Sequence, residues 1–317
     1  MADSLRTPQG EDKPVRRVRF RGRLRTVNRE PGDPVMVTAV RTLNLIFSPF
    51  IRKDWRGQEH IPQTGGVIIA VNHISNIDPI LAGLYLAYAG RWPRFLAKGS
   101  LFKVPILGWA LRSAGQIPVQ RNSRQASQAI QAARAALDQG RAVVIYPEAT
   151  ITYDPELWPM EGRTGAARIA LKTGYPVIPV GQWGAEEIMW GKKVHFPKLL
   201  PRKTVRMLAG PQVPLDDLRG QPMTSTNLMQ ATDRIMDAIE SLVAELREQA
   251  PPARRYDPRK PDGGRIAVAD ADGTDDAEAA NGAVAANGAG AANGAGAADS
   301  AEATDGQAVD TEGEEPT

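Results

Sequence analysis

The sequence contains no cysteine, which excludes disulfides, thiolate metal sites and a cysteine nucleophile. Histidine is also scarce. There are three, His60, His73 and His195. No His-Glu-x-x-His pattern is present, so no structural or catalytic zinc is expected, and His60 and His195 read as structural or exposed residues. No Gly-x-Ser-x-Gly elbow is present, so no covalent serine chemistry is expected. No stretch reaches the ~18 uncharged apolar residues of a membrane-spanning helix. The N-terminus shows no apolar signal-peptide core. These absences lead to the expectation of a cytoplasmic protein that touches a membrane surface without crossing it.

What charge there is lies unevenly. The 317 residues carry a net +3. Residues 261–317 hold 13 acidic residues and one basic, while residues 1–260 hold 38 basic and 23 acidic. The body is basic and the tail acidic. Ala-Asn-Gly-Ala recurs at 280–283, 286–289 and 292–295, a low-complexity composition that cannot build a core. Residues 251–317 are therefore expected to be an acidic, disordered tail. At the other end, seven arginines fall between Arg16 and Arg29 without one acid, and residues 1–34 are expected to be a basic disordered arm. Nothing in either segment matches a nucleic-acid-binding motif, so no nucleic-acid partner is expected.

Between these ends the pattern is that of a globular domain. Met36, Val40, Leu43, Phe47, Phe50 and Ile51 recur at three- and four-residue steps, which predicts an apolar-striped helix that Pro49 bends or ends. With Arg52, Lys53 and Arg56 behind it, residues 35–57 suit an amphipathic element lying in a membrane surface, or an ordinary packing helix. Apolar β-branched runs at 66–71, 94–97, 116–119, 142–146, 177–181 and 204–209 read as strands. Residues 79–89, 123–139, 164–173 and 225–248 read as helices. Strand–helix alternation predicts an α/β domain over 58–250, with a mostly β-sheet core flanked by helices. Pro118 and Pro179 read as edge or turn prolines.

The chemistry gathers where the first of these strands meets the first helix. Val71-Asn72-His73-Ile74-Ser75-Asn76-Ile77-Asp78-Pro79 follows the run 66–70. Five residues on a regular helix turn ~140° past a full circle, so His73 and Asp78 would not share a helical face. With His73 in the loop, Asn76 as N-cap and Asp78 in the first turn, the imidazole can fold back onto the carboxylate. A carboxylate on one ring nitrogen fixes the tautomer and makes the other nitrogen a general base.

Further blocks follow in order: Ala97-Lys98-Gly99-Ser100, Gly115-Gln116-Ile117-Pro118-Val119-Gln120-Arg121, Tyr146-Pro147-Glu148-Ala149-Thr150 and Val177-Ile178-Pro179-Val180. With the His-x4-Asp block, this succession over about 60–215 resembles the lysophospholipid acyltransferase family, nearest to the 1-acyl-glycerol-3-phosphate acyltransferase type. The resemblance implies the glycerolipid acyltransferase fold, with His73 as base and Asp78 as its orienter. It implies substrate contacts from Asn72, Lys98, Gly115, Arg121, Glu148, Ala149, Thr150 and Pro179. Arg121 would help bind the acceptor phosphate and Pro179 would line the acyl side. The family's third block usually reads Phe-Pro-Glu-Gly-Thr-Arg. Here its Gly is Ala149 and its closing Arg is Ile151, and Arg163 is a candidate to replace the lost cation.

The implied reaction moves an acyl group from acyl-CoA or an acyl carrier protein thioester to the free hydroxyl of 1-acyl-glycerol-3-phosphate. The product is phosphatidic acid, an intermediate of phospholipid synthesis. No cofactor or metal is implied beyond the thioester co-substrate. The implied place of work is an anionic membrane surface, at the cytoplasmic face of the plasma membrane. Glycerol-3-phosphate or another lysolipid as acceptor, and a non-catalytic lipid-binding protein, are the alternatives.

Overall fold

In the computed structural model, residues 24, 28, 30–119, 123–191, 195–260 and 263 are described. The seven arginines of the N-terminal arm, Arg121 and almost all of the acidic tail lie outside them.

Helix α1 (Pro34–Phe47) starts with proline in its first turn, where no amide hydrogen is needed. It ends at Phe47: Ser48 still has helical geometry and donates its amide to the Asn44 carbonyl, but Pro49 has no amide hydrogen with which to continue the ladder. The chain then forms strand β1 (Ile51–Arg56), β2 (Val67–Val71), helix α2 (Asp78–Tyr88), β3 (Pro93–Lys98), a 3₁₀ turn (Gly99–Lys103), α3 (Pro105–Ser113) and β4 (Ile117–Val119). After these come α4 (Ser123–Asp138), β5 (Ala142–Ile145), α5 (Gly165–Thr173), β6 (Val177–Trp183), β7 (Lys203–Ala209) and α6 (Ser225–Arg247).

The strands make one seven-stranded sheet in the order β1-β7-β6-β2-β5-β3-β4. All neighbouring pairs are parallel except β6 with β7. β2 lies at the centre with all five residues buried, and its period of two divides them between the two faces. Val67, Ile69 and Val71 join the core under α1 and α2, with Leu81, Leu84 and Tyr85. Ile68 and Ala70 join the core under α4, α5 and α6, with Leu137, Ile169, Ile235 and Ile239. This is an α/β fold with helices covering both sides of a mixed sheet. Because β2, β5 and β3 are parallel, their C-terminal ends open on one edge, where binding groups collect in such sheets.

Three expectations need correction. The helix of 35–57 stops at Phe47, and 51–56 is an edge strand paired to β7. Its apolar stripe also faces inward: Met36, Val40 and Phe47 are buried in the core beside α2, so this stripe is not free to enter a membrane. Residues 251–260 do not belong to a disordered tail. The Glu161 amide donates to the Tyr256 carbonyl at 3.0 Å, Asp257 is buried, and Arg255 lies 3.0 Å from Glu240. The domain therefore extends at both ends beyond 58–250. Pro118 sits on edge strand β4 as expected, but Pro179 lies in interior strand β6. Its carbonyl accepts from Gly210 at 3.0 Å, just beyond the β6–β7 ladder, so its missing amide hydrogen falls where that ladder ends.

Burial of Phe47 makes α1 a structural element. Phe47→Ser is expected to lower unfolding stability by about 3 kcal/mol, as large-to-small core changes do. Urea denaturation followed by circular dichroism measures this, and an unchanged midpoint would show that α1 is not part of the core.

Candidate active site

Six residues, 72–77, join β2 to α2, and they hold the candidate dyad. The His73 ring folds back as the spacing allows, with Nδ1 2.8 Å from Asp78 Oδ2. Asp78 is the first residue of α2 and is fully buried. The N-cap position is Ile77, not Asn76, and no side chain caps the helix. Asp78 Oδ2 instead reaches back to the loop ahead of the helix, accepting the amides of Ile74 at 2.7 Å and Ser75 at 2.8 Å. Asn76 instead donates to the Gly191 carbonyl at 3.2 Å.

Burial pushes the Asp78 carboxyl up, while the His73 ring and the two amides oppose that shift. With the carboxylate on Nδ1, the neutral ring carries its hydrogen there, and Nε2 presents the lone pair. The His73 side chain is 17% exposed, so the ring is reachable from outside.

A second carboxyl holds the same histidine by its backbone. Glu148, 2% exposed, accepts the His73 amide on Oε1 at 2.8 Å and the Met160 amide on Oε2 at 3.0 Å. The His73 carbonyl accepts the Thr152 amide at 2.8 Å. Burial raises the Glu148 carboxyl to about 8, with both amides pulling the other way. Glu148 thus ties the β2–α2 loop to the segment that follows β5. It is a positioning residue, and its buried oxygens are already occupied by protein donors.

Tyr146 forms the wall beside the imidazole, with ring centroids 4.2 Å apart and planes 23° from parallel. Phe95 of β3 continues the stack, 6.4 Å from Tyr146. The Tyr146 hydroxyl is buried without a hydrogen-bond partner among the described residues, and burial pushes it well above the usual phenol range. Tyr146 opens the third sequence block directly before Pro147-Glu148, so its place in that block was the available signal. Gln182, which holds the end of β2, gave none.

The other predicted residues divide. Asn72 is buried, and Gln182 takes both ends of its amide: the Gln182 amide donates to Oδ1 at 2.8 Å, and Nδ2 donates to the Gln182 carbonyl at 3.1 Å. Asn72 therefore locks β2 to β6 and has no polar atom left over for a substrate, which corrects the expected contact. Gly115 lies in the turn between α3 and β4 at φ +64°, where an added Cβ would stand 3.1 Å from the Arg94 guanidinium. Its role there is conformational. Pro179 is buried in mid-strand against Gly210, upstream of the edge that carries His73. Lys98 ends β3 on the open edge and is exposed. Arg163 is exposed, and its amide donates to the Pro147 carbonyl at 2.8 Å, beside the Glu148 turn. Thr150 is half-buried in the same turn. Ala149 has φ 60°, the left-handed region that its Cβ resists, so the departure from glycine does carry strain. Ile151 is buried and presents no cation.

Comparison with known proteins gives a consistent set. Residues 52–183 match the family model described as Acyltransferase. The chain is 30% identical over 142 residues to the chloroplastic 1-acyl-sn-glycerol-3-phosphate acyltransferase BAT2 of Brassica napus, covering 44% of this chain and 40% of that protein. It is 35% identical over 126 residues to the 1-acyl-sn-glycerol-3-phosphate acyltransferase of Borreliella burgdorferi, covering 39% of this chain and 48% of that protein. The matched stretch thus spans less than half the length of either relative. The crystal structure of the 1-acyl-sn-glycerophosphate acyltransferase PlsC from Thermotoga maritima aligns with a TM-score of 0.49 at 21% identity, covering 68% of this chain and 83% of that one.

Two outcomes follow from the geometry. Ala149 is exposed and left-handed, so Ala149→Gly relieves strain and opens no cavity. The left-handed penalty is ~1–2 kcal/mol and the entropy cost of glycine ~0.5–1 kcal/mol, so the variant is expected to be as stable as the parent or about 1 kcal/mol more stable. Thermal melting measures it, and a clear loss of stability would contradict the strain. The second outcome concerns Glu186, whose Oε2 accepts the Gly184 amide at 2.9 Å and whose carboxyl burial raises from 4.5 to about 7. The folded protein keeps this proton while the unfolded chain loses it, so stability falls as pH rises from about 4.5 through 7. Glu186→Gln keeps an acceptor for Gly184 and removes the titration. Its unfolding midpoint in urea is expected to fall less than the parent's across that range, and equal slopes would refute the shift.

Proposed function

We propose that this protein transfers a fatty acyl group from a thioester to the free hydroxyl of 1-acyl-glycerol-3-phosphate, giving phosphatidic acid, a reading supported by the match of residues 52–183 to the family model described as Acyltransferase. The observation that carries this reading is the 2.8 Å contact between His73 Nδ1 and Asp78 Oδ2 at the open edge of the sheet. The names of the relatives from Brassica napus and Borreliella burgdorferi support the acceptor.

The chemistry needs one base and no covalent enzyme intermediate. His73 Nε2 takes the proton of the acceptor hydroxyl as its oxygen attacks the thioester carbonyl. Asp78 holds the ring and stabilises the imidazolium that forms. The tetrahedral intermediate collapses with cleavage of the carbon–sulfur bond. The imidazolium then returns its proton to the departing thiolate. Glu148 and Asp78 contribute by fixing the backbone and the ring of His73, so that little reorganisation is needed during the reaction.

The acceptor phosphate needs cations. Lys98 and Arg163, both exposed, and Arg121 are the candidates. Acyl-CoA and an acyl carrier protein are both donors of the required chemistry. The acceptor and product are lipids, so the enzyme works on a membrane surface, which we place at the cytoplasmic face of the plasma membrane. No described helix is long and apolar enough to cross a membrane. The buried Ile151, in place of the arginine that ends the third block, favours one second reading: a lysolipid acceptor whose head group needs fewer cations.

An acyl-transfer assay across phosphorylated and unphosphorylated lysolipids, with mass spectrometry of the products, tests both readings. His73→Ala is expected to fold like the parent and to lose ~10²–10⁴-fold in turnover, the usual share of general-base catalysis. Activity within a few-fold of the parent in a folded variant would remove His73 from the mechanism.

A further inference from the structure

Beside the site lies an apolar surface that the chemistry above does not use. It is built by the 3₁₀ turn Gly99–Lys103 and α3. Of residues 101–109, only Phe102 and Gly108 are buried. These two anchor the unit. An added Cβ at Gly108 would stand 2.2 Å from the Phe102 carbonyl oxygen, so only glycine lets the helix approach so closely, and Arg112 donates to the same carbonyl at 2.7 Å. Everything else points out: Ile106 is 84% exposed, Trp109 60%, Val104 48% and Leu107 43%. A helix packed on a globular domain normally buries its apolar side. Here the only buried residue of α3 is a glycine, and the large apolar side chains face outward.

Charge identifies the partner. From Pro79 to Leu137 the sequence contains no Asp or Glu and eight Lys or Arg, among them Lys98, Lys103 and Arg112 around this face. A Trp/Ile/Leu/Val surface carried on a stretch of chain with cations and no acid matches a bilayer interface whose head groups are anionic. Tryptophan favours the depth where apolar and wet layers meet. Location adds a further argument. The turn begins directly after β3, whose C-terminal end opens on the same sheet edge as β2 and β5. The rings of Phe95, Tyr146 and His73 stack in series across that edge.

We propose that the 3₁₀ turn and α3 are the face that docks this protein on an anionic lipid bilayer, with Ile106, Leu107 and Trp109 entering the interface and Lys103 at its rim. This deepens the reading of a lipid acyltransferase by naming the surface through which acceptor reaches His73. It also moves the docking role away from α1, whose stripe is buried.

Co-sedimentation of the full chain with vesicles of phosphatidylcholine, with and without phosphatidylglycerol, tests it. The variant Ile106→Ser/Trp109→Ser is expected to lose at least about tenfold in affinity for the anionic vesicles, a modest free-energy change spread over two interfacial side chains. Lys103→Glu is expected to weaken binding at low salt and less at high salt. Leu45→Ser/Ile46→Ser, on the exposed side of α1, is the control and is expected to bind like the parent. Activity separates the failures. With a short-chain, water-soluble acceptor the Ile106→Ser/Trp109→Ser variant should keep parental turnover, while with vesicle-embedded acceptor it should fall. Loss on both acceptors, or inactive parent, counts against the acyl-transfer reading or its site and leaves sedimentation to decide the docking face. The docking proposal is overturned if the parent does not bind anionic vesicles or if the variant binds like the parent. It is equally overturned if the control alone loses binding, or if the variant converts a parental dimer to a monomer, which would make this face a contact between copies.

Discussion

The carboxylate of Asp78 has no exposed surface, and most of what is distinctive here follows from placing a charge where water cannot solvate it. A buried carboxylate is tolerated only with donors around it. Asp78 Oδ2 receives three: the imidazole and the amides of Ile74 and Ser75. These bonds fix the shape of the loop between β2 and α2, and with it the direction of the His73 ring. The helix needs no side-chain cap because the same carboxylate occupies its N-terminal turn, where a negative charge is favoured by the helix dipole.

Glu148 repeats this physics from another part of the chain. It too is buried, and it too accepts two backbone amides, one of them that of His73 itself. The histidine is therefore held twice, by its ring through Asp78 and by its backbone through Glu148. The sheet makes this possible, because β2 and β5 are parallel neighbours and deliver the two loops to one edge. The cost is visible in the pH behaviour of the site. Burial raises Glu148 to about 8 and Glu186 to about 7, so these two buried carboxyl groups retain protons that exposed groups would shed.

Much of this was legible before any coordinates. The strands at 67–71, 142–145, 177–183 and 203–209 match apolar β-branched runs, and α2, α4, α5 and α6 match helical periods. What escaped did so for physical reasons. Strand β1 buries only Ile51 and Trp55, four residues apart, a spacing that fits a helical face as well as one face of a strand. Edge strands also carry charge, which weakens the apolar signal. Helix α3 turns its apolar residues outward, so its pattern says nothing about a core it does not join. The segment 251–260 adheres through backbone bonds and ion pairs, which composition does not reveal.

The sequence by itself determined the α/β alternation, the order of the motif blocks and the presence of a histidine and a carboxylate five residues apart with a helix start between them. These are local properties, set by side-chain period and by proline and glycine geometry. The tertiary structure alone decided what each side chain faces. It turned the stripe of α1 inward and that of α3 outward. It spent Asn72 on Gln182 and Glu148 on two amides, and brought Tyr146 against the imidazole. Those outcomes depend on partners 70 to 110 residues away. No residue type encodes such a partner, because a hydrogen bond or a buried face is a property of two surfaces, and the chain specifies their meeting only by folding.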